Sequence, residues 1–273
     1  MLSTQTREHP SPFDAIAGEY DATFTSSTLG QIQRDPVWNE LKKSFHPGDR
    51  VVDIGCGTGV DARFLAESGI DVVACDSSAG MLRIAERRLA SLPQVPGWVQ
   101  LHQLRAEEIS NLRYVGPFDG AFSNFGAVNC VENIARLASD LEVLLKPGAN
   151  LLLCLMGPAC AWETFWYLLH GKFAKAFRRF HRAGVEARLG DGAVFYVRYP
   201  SVRSIRRAFA PGFSLKSFRG IGVAVPPSYL EAWASRFPGI VKLGANADLF
   251  LGRCPGIRVF ADHILLRFER RRA

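Results

Sequence analysis

From residue 50 onward, hydrophobic positions alternate between two rhythms. Short apolar runs at Arg50–Ile54, Asp71–Cys75, Val99–Leu104, Phe118–Phe122 and Asn150–Met156 have the length and composition of strands. Between them, apolar residues three and four apart predict helices over Val60–Ser68, Ser77–Leu92 and Val131–Leu145. Gly69 suits the end of the first helix. Ser77 or Ser78 can cap the second, and Lys146-Pro147-Gly148 stops the third. The run Asn150–Met156 is apolar on both faces, as a central parallel strand should be. Upstream, Phe13–Phe45 reads as helical, with Pro36 in a helix first turn behind Asp35. Residues 1–12 are polar, hold two prolines and are expected to fray. The alternation predicts an open, mostly parallel, doubly wound α/β sheet.

After Gly157 the alternation stops. Residues 158–212 read as an aromatic-basic helix over about Trp162–His181, a glycine-rich bend, a strand at Ala193–Tyr199 and a short helix at Ser201–Ala208. Late strands near Leu215–Val225 and Arg258–Glu269 flank a helix over Pro227–Arg236. The 273 residues suit one large α/β domain, or one carrying an insertion. With 48% hydrophobic and 22% charged residues, a disordered or collagen-like chain is excluded.

Charge changes the picture once it is located. The net charge is +7, but residues 170–207 hold ten Lys/Arg against two acids. That segment is +8, so the remainder is −1. A basic segment admits nucleic acid, anionic membrane or acidic small molecules as partners. Here Trp162, Phe165, Trp166, Leu169, Phe173, Phe177 and Phe180 fall mostly on one helical stripe. Lys172, Lys175, Arg178, Arg179 and Arg182 lie largely elsewhere. Such a helix roofs a site with its charges outward, or makes peripheral contact with an anionic membrane through residues 162–182. Nucleic acid is not expected, because the aromatics stack as a core face rather than interleaving along a groove.

Six cysteines without a C-x-x-C pair read as buried free thiols in a reducing, cytoplasmic compartment. No metal-ligand spacing is present. The start, MLSTQTREHPSPFD, lacks the apolar core of a secretory signal, and no apolar run is long enough to span a bilayer.

The chemistry centres on Val51-Val52-Asp53-Ile54-Gly55-Cys56-Gly57-Thr58-Gly59, which leaves a strand and enters a helix. Glycines at alternate positions let the backbone turn tightly and approach a ligand, and the helix N-terminus offers free N–H groups. The spacing is G-x-G-x-G. The dinucleotide fingerprint G-x-G-x-x-G needs its third glycine at position 60, which is Val. Asp53 would repel a pyrophosphate and suits a cationic amine. Asp76 ends the second strand, 17 residues after Gly59, where a carboxylate can accept both ribose hydroxyls. Together these acids describe a nucleoside with an amino-acid-like tail.

On these motifs the chain resembles the class I S-adenosylmethionine-dependent methyltransferases, in the small-molecule group that includes the quinone-ring methyltransferases. The resemblance runs from about Tyr20 to Met156. It rests on VVDIGCGTG, on VVACDSSAGML, on Arg105-Ala106-Glu107 (where the family more often has Asp than Glu107), on FDGAFSNFGAVN, on LLKPGANLLL and on AGEYD. It implies a single Rossmann-like domain over 1–273, with a seven-stranded sheet whose last strand is antiparallel. The cofactor core would be 13–156, and 158–212 an acceptor-binding lid inserted between strands five and six. The implied cofactor residues are Tyr20, Asp53, Gly55, Cys56, Gly57, Gly59, Asp76, Ser77, Met81, Ala106, Glu107, Asn124 and Phe125. In that reading Asp76 holds the ribose, Met81 packs near the adenine and Asn124 offers its carbonyl to the ligand's amine.

The implied reaction is in-line transfer of a methyl group to a small, largely apolar molecule. Positioning and exclusion of water would carry most of it. Candidate catalytic or acceptor-site residues are Tyr20, Asn129 and His170, with His181, His263, Tyr196 and Tyr199 as weaker ones. Base-amine methylation would call for Asn/Asp-Pro-Pro-aromatic after strand four, where this chain has Ser123-Asn124-Phe125-Gly126. The alternatives are a nicotinamide-dependent oxidoreductase, a cofactor-binding module without transferase activity, and an enzyme using the same cofactor for other chemistry.

Overall fold

In β1 (Arg50–Ile54), successive side chains must point to opposite faces of the sheet. Val52 and Ile54 enter one hydrophobic cluster and Val51 enters another. The same division runs along β5 (Leu145–Met156), with Leu151, Leu153 and Leu155 on one side and Leu152 and Cys154 on the other. Both strands are covered on both faces at Val51–Val52 and Leu151–Leu155, which is why those runs are continuously apolar. The computed structural model describes residues 11–91, 93–181, 183–189 and 192–272.

The remaining strands are β2 (Asp71–Asp76), β3 (Val99–Gln103), β4 (Phe118–Ser123), β6 (Val185–Leu189), β7 (Ala193–Val197), β8 (Phe213–Ile221) and β9 (His263–Arg270). Seven form one sheet in the order β3-β2-β1-β4-β5-β9-β8. β1 to β5 are parallel, and β9 runs antiparallel to both β5 and β8. The strand order reverses at β1, so the carboxyl ends of β1 and β4 open a crevice suited to a ligand. β6 and β7 pair separately as a hairpin.

The principal helices are α1 (Thr28–Ser44), α2 (Val60–Glu67), α3 (Ala79–Ala90), α4 (Ile134–Leu144), α5 (Ala161–Leu169), α6 (Val202–Phe209) and α7 (Pro238–Leu251). α1 and α2 cover one face of the sheet through Val37, Leu41, Ala62 and Leu65. α4 and α6 cover the other through Leu137, Leu141, Ile205 and Phe209.

Several expectations are corrected. Pro36 lies inside α1, because Ser27 caps that helix earlier by accepting from the Gly30 amide at 3.0 Å. Burial of Val37 and Leu41 carries the helix past the missing amide. Ser11 and Pro12 belong to the first helical turn rather than to a frayed end: the Asp14 carboxylate accepts from the Ser11 amide. Residues 1–10 lie outside the described residues. Lys146-Pro147-Gly148 follows the end of α4 at Leu144, as expected, but already falls within the bounds of β5. Leu145 pairs with Phe118 and the next pair in register is Asn150 with Gly120, so residues 146–149 bulge out of the ladder. β6 was not expected, nor was α7, and the helix expected over Pro227–Arg236 is two short turns, Ser228–Leu230 and Glu231–Ala234.

The largest correction concerns Trp162–His181, which is not one helix. α5 ends at Leu169, Gly171 takes φ +67°, and the chain returns through turns at Phe173–Ala176 and Arg178–Phe180. A buried charge cluster requires this fold-back. The Glu163 carboxylate accepts from Arg178 Nε at 2.7 Å and from Arg179 Nη2 at 2.8 Å. Arg179 also donates to Asp262 Oδ1 at 2.7 Å and to the Asp262 carbonyl at 2.8 Å. A straight helix would carry these arginines away from Glu163, leaving a buried carboxylate unpaired at large cost.

Candidate cofactor and acceptor site

The glycine loop between β1 and α2 is left-handed at three positions: φ is +75° at Gly55, +54° at Gly57 and +76° at Gly59. The three glycines serve different ends. A Cβ on Gly55 would lie 2.2 Å from the Ala127 Cβ, and one on Gly59 would lie 2.9 Å from the Ala85 Cβ. These two let neighbouring backbone pack closely. A Cβ on Gly57 would meet nothing within 4 Å, so its backbone borders open space where a ligand can sit.

Asp76, at the end of β2, braces this loop. Its Oδ2 accepts from the Gly57 amide at 2.9 Å and its Oδ1 from the Ser78 amide at 2.8 Å. Burial raises its carboxyl pKa, and those two amides work against the rise. Each oxygen keeps a further lone pair for a hydroxyl donor. Ser78 Oγ accepts from the Met81 amide, capping α3, and Met81 is buried behind the loop.

Asp53 is 2% exposed and its Oδ2 has no hydrogen-bond partner. Burial, then the facing Asp61 and Asp76 charges, push its carboxyl well above the usual carboxylate range. Asn124 follows β4. Its Nδ2 donates to Asp61 Oδ2 at 2.9 Å, which fixes the amide orientation and leaves Oδ1 buried without a partner. Two unpartnered acceptors thus stand at the carboxyl ends of the adjacent strands β1 and β4. A buried acceptor of this kind is costly unless a donor arrives.

The sequence did not reveal the hub of this arrangement. Asp61 accepts from Arg34, from Trp38 Nε1 at 2.7 Å and from Asn124. In sequence it is only an acid in a helix first turn, and its partners come from a helix 23 and 27 residues upstream and from Asn124, 63 residues downstream.

The N-terminal segment closes over the loop. Asp14 accepts from Ser78 Oγ and from the Gly80 amide, both at 2.7 Å. Thr58 Oγ1 donates to Asp21 at 2.7 Å, and Arg88 donates both to Asp21 and to the Thr58 carbonyl. Ser77 and Ser11 hydroxyls lie 3.2 Å apart. Tyr20 is carried on this segment, and burial pushes its phenol up to about 12. It therefore keeps its proton at neutral pH and can donate but not serve as a base. Burial likewise raises the Cys56 thiol well above its ordinary value, so Cys56 is no nucleophile and lines the loop as a thiol.

Beyond Asn124 the surroundings turn aromatic. Phe125 holds φ +50°, an unusual value for a bulky residue. Its ring meets Phe24 edge-on at 5.1 Å and His263 at 5.4 Å, and the Arg34 guanidinium lies over it at 4.7 Å. His263 is buried beside Asp262, with Nδ1 at 3.3 Å from the carboxylate.

Other expected site residues are placed differently. The Asn129 amide is already engaged: Nδ2 donates to the Met156 and Arg198 carbonyls and Oδ1 accepts from the Met156 amide. Asn129 is a clamp between β5 and residue 198 rather than a free catalytic side chain. His170 sits exposed at the end of α5, against the Trp166 ring and carbonyl. Among the described residues, no hydrogen bond or ring contact joins it to the glycine loop. Ala106 and Glu107 begin a turn after β3, where Glu107 Oε1 accepts from the Glu132 amide at 3.3 Å. His181 and Tyr196 are exposed, and Tyr199 lies beneath Arg179 at 5.4 Å.

Residues 51–148 match the methyltransferase-domain family. A demethylmenaquinone methyltransferase from Mycobacterium sp. (strain KMS) is 34% identical over 157 residues, 56% of this chain and 61% of that protein. The chain thus spans about three fifths of the length of the relatives it matches. Among solved structures, an S-adenosylmethionine-dependent methyltransferase from Mesorhizobium loti superposes with TM-score 0.54 at 19% identity, covering 89% of this chain and all of that one. A mycolic acid cyclopropane synthase, CmaA1, crystallised with SAH and CTAB, reaches TM-score 0.59 at 16% identity, covering 98% and 100%. These likenesses concern the fold. Residues 51–148 thus carry the match to the methyltransferase-domain family, and over 157 residues the chain is similar to the demethylmenaquinone methyltransferases.

Proposed function

We propose that the chain transfers a methyl group from S-adenosylmethionine to a small, largely apolar acceptor of quinone type. The observation that carries this reading is the pair of unpartnered acceptors, Asp53 Oδ2 and Asn124 Oδ1, beside a glycine loop braced by Asp76. These groups fit the cofactor. Asp53 and Asn124 would accept from its ammonium, Asp76 would accept from its ribose hydroxyls, and Gly57 leaves room for close backbone approach. Tyr20, Ser77, Met81, Ala106, Glu107 and Phe125 complete the proposed cofactor set. When bound, the cofactor supplies a methyl group on a positively charged sulfur.

The chain's own contribution is positioning and exclusion of water. The ties from Asp14 and Asp21 hold the N-terminal segment over the loop. Residues 158–212 are proposed as the acceptor lid. Support comes from their anchorage at Asp262 through Arg179, at Asn129 through residue 198, and at Phe13 through the Phe195 ring at 5.1 Å. The aromatic group of Phe24, Phe125 and His263 supports an apolar, flat acceptor. The mycobacterial relative's name supports a quinone-type one. No nucleic acid is expected as partner.

Among the described residues no helix is long and apolar enough to cross a membrane. The six cysteines are free, which supports the proposed cytoplasmic location.

Incubation with methyl-labelled cofactor and a demethylated naphthoquinone should yield labelled quinone. Absence of transfer to that quinone or to any component of a lipid extract, by protein that binds the cofactor, would reduce the chain to a binding module.

Asp53 makes a pH prediction. Its raised folded-state pKa means that its contribution to stability is present below about pH 4 and lost as pH rises towards the raised value. A cationic ligand at Oδ2 favours the carboxylate, so binding should expel a proton and tighten with rising pH. Calorimetry in two buffers of different ionisation enthalpy reads that proton. Any release from Asp53 should vanish in Asp53→Asn, and wild-type affinity in that variant would remove Asp53 from the site.

A further inference from the structure

α7 has an inner and an outer face. Inward, Val241 is buried with Ala245 in a small cluster, and Asp248 accepts from the Val223, Ala224 and Val225 amides. Outward, Ile240, Leu243, Ala247 and Phe250 recur at three- and four-residue spacing as one stripe. Leu243 is 70% exposed and Phe250 is 72% exposed. An outer stripe this apolar has no folding purpose, since it covers nothing.

The same small cluster takes Trp162 and Trp166 of α5, so α5 and α7 lie on one side of the molecule. Beyond α5 the fold-back at Gly171 turns Phe173 and Phe177 outward, with Phe173 64% exposed. The expected aromatic stripe is thus not packed on the domain: only its tryptophans face inward.

The charges decide what this surface meets. Residues 161–181 contain one acid, Glu163, and residues 232–260 contain one, Asp248. Glu163 is 1% exposed and paired with Arg178 and Arg179, and Asp248 is spent on backbone amides. Lys172, Lys175, Arg236, Lys242 and Arg253 are all exposed, and among the described residues none is ion-paired. Both segments therefore turn their acids inward and present apolar rings and aliphatics among cations.

We infer that the outer faces of α7 and of residues 165–180 together form a surface that seats on an anionic lipid bilayer. Apolar side chains enter the headgroup boundary while the flanking lysines and arginines meet lipid phosphates. A second copy of the chain is a poorer occupant, because the patch would face its own positive charge. The surface is separate from the glycine loop, and the inference does not rest on methyl transfer.

Sedimentation with vesicles tests it, with no methyl donor present. Wild type should pellet with vesicles of phosphatidylcholine containing about one third phosphatidylglycerol. It should pellet about 10-fold less with pure phosphatidylcholine or at high salt. Leu243→Glu with Phe250→Glu should lower binding by about 10-fold or more with an unchanged circular dichroism melt, because both side chains are exposed. Lys172→Glu with Lys175→Glu should lower it on the anionic vesicles alone. Wild-type binding by the Leu243/Phe250 variant overturns the inference. So does a wild type that ignores vesicles but forms a dimer lost in that variant.

Discussion

Replacing Asp76 with alanine should weaken binding of S-adenosylmethionine, or of its demethylated product, by at least about 100-fold. Two hydrogen bonds to a charged acceptor are each worth about 1.5–3 kcal/mol, and the variant loses both prospective ribose contacts. It also removes the brace on Gly57 and Ser78, whose amides now donate to the two carboxylate oxygens. Asparagine should do little better, since its NH2 group would face one of those amides donor to donor. Calorimetric titration of the folded variant reads the effect. A loss of less than about 3-fold, near 0.6 kcal/mol, would show that Asp76 only shapes the loop.

The second large effect belongs to the charge cluster. Arg179→Met should destabilise the protein by about 3–5 kcal/mol, the usual result of leaving buried charges short of a partner. Among the described residues, Arg179 alone donates to both Glu163 and Asp262. Urea unfolding measures the change, and a shift below about 1 kcal/mol would contradict the burial and pairing described. The pH dependence carries the same signature. Burial opposes ionisation of Asp262, but His263 and Arg179 outweigh it and hold the carboxyl well below the usual range. With the folded pKa lowered, this stability is present above about pH 4 and lost as pH falls towards the depressed value. Arg179→Met should therefore flatten the acid limb of the wild-type stability curve. The cluster also anchors the turn at Arg178–Phe180 to the start of β9, so the same variant should loosen the proposed lid.

The parts of the site written into one short stretch were legible in the sequence. Gly55, Gly57 and Gly59 take positive φ, a demand that only glycine meets cheaply, so the loop is visible without coordinates. Asp53 and Asp76 were visible because each ends or precedes the end of an apolar run at a strand's carboxyl edge. Asp61, Asp14 and Asp21 were not. Each looks like an ordinary helix acid, and its role comes from groups brought together only by the fold: Arg34 and Asn124 for Asp61, Ser78 for Asp14, Thr58 and Arg88 for Asp21. Asn129 looked like a pocket residue because its amide partners at 156 and 198 are distant in sequence.

The same contrast holds for the fold. The alternation from Arg50 to Met156 marked strands and helices within a few residues, because β1, β2, β4 and the later part of β5 are buried on both faces and the helices on one. The reading failed where burial and periodicity part. α7 exposes apolar residues that a buried helix would hide, and Trp162–His181 kept a helical rhythm that Glu163 and two arginines override. The apolar residues left outward in both places, Leu243 and Phe250 on α7 and Phe173 and Phe177 after the fold-back, belong to the proposed lipid-facing surface.

A crystal structure of the chain grown with S-adenosylhomocysteine tests the central claim most directly. It should show the amino group of the ligand within hydrogen-bond distance of Asp53 Oδ2 and Asn124 Oδ1, and both ribose hydroxyls on Asp76. A ligand bound elsewhere, or a loop that stays empty at saturating concentration, would contradict the account.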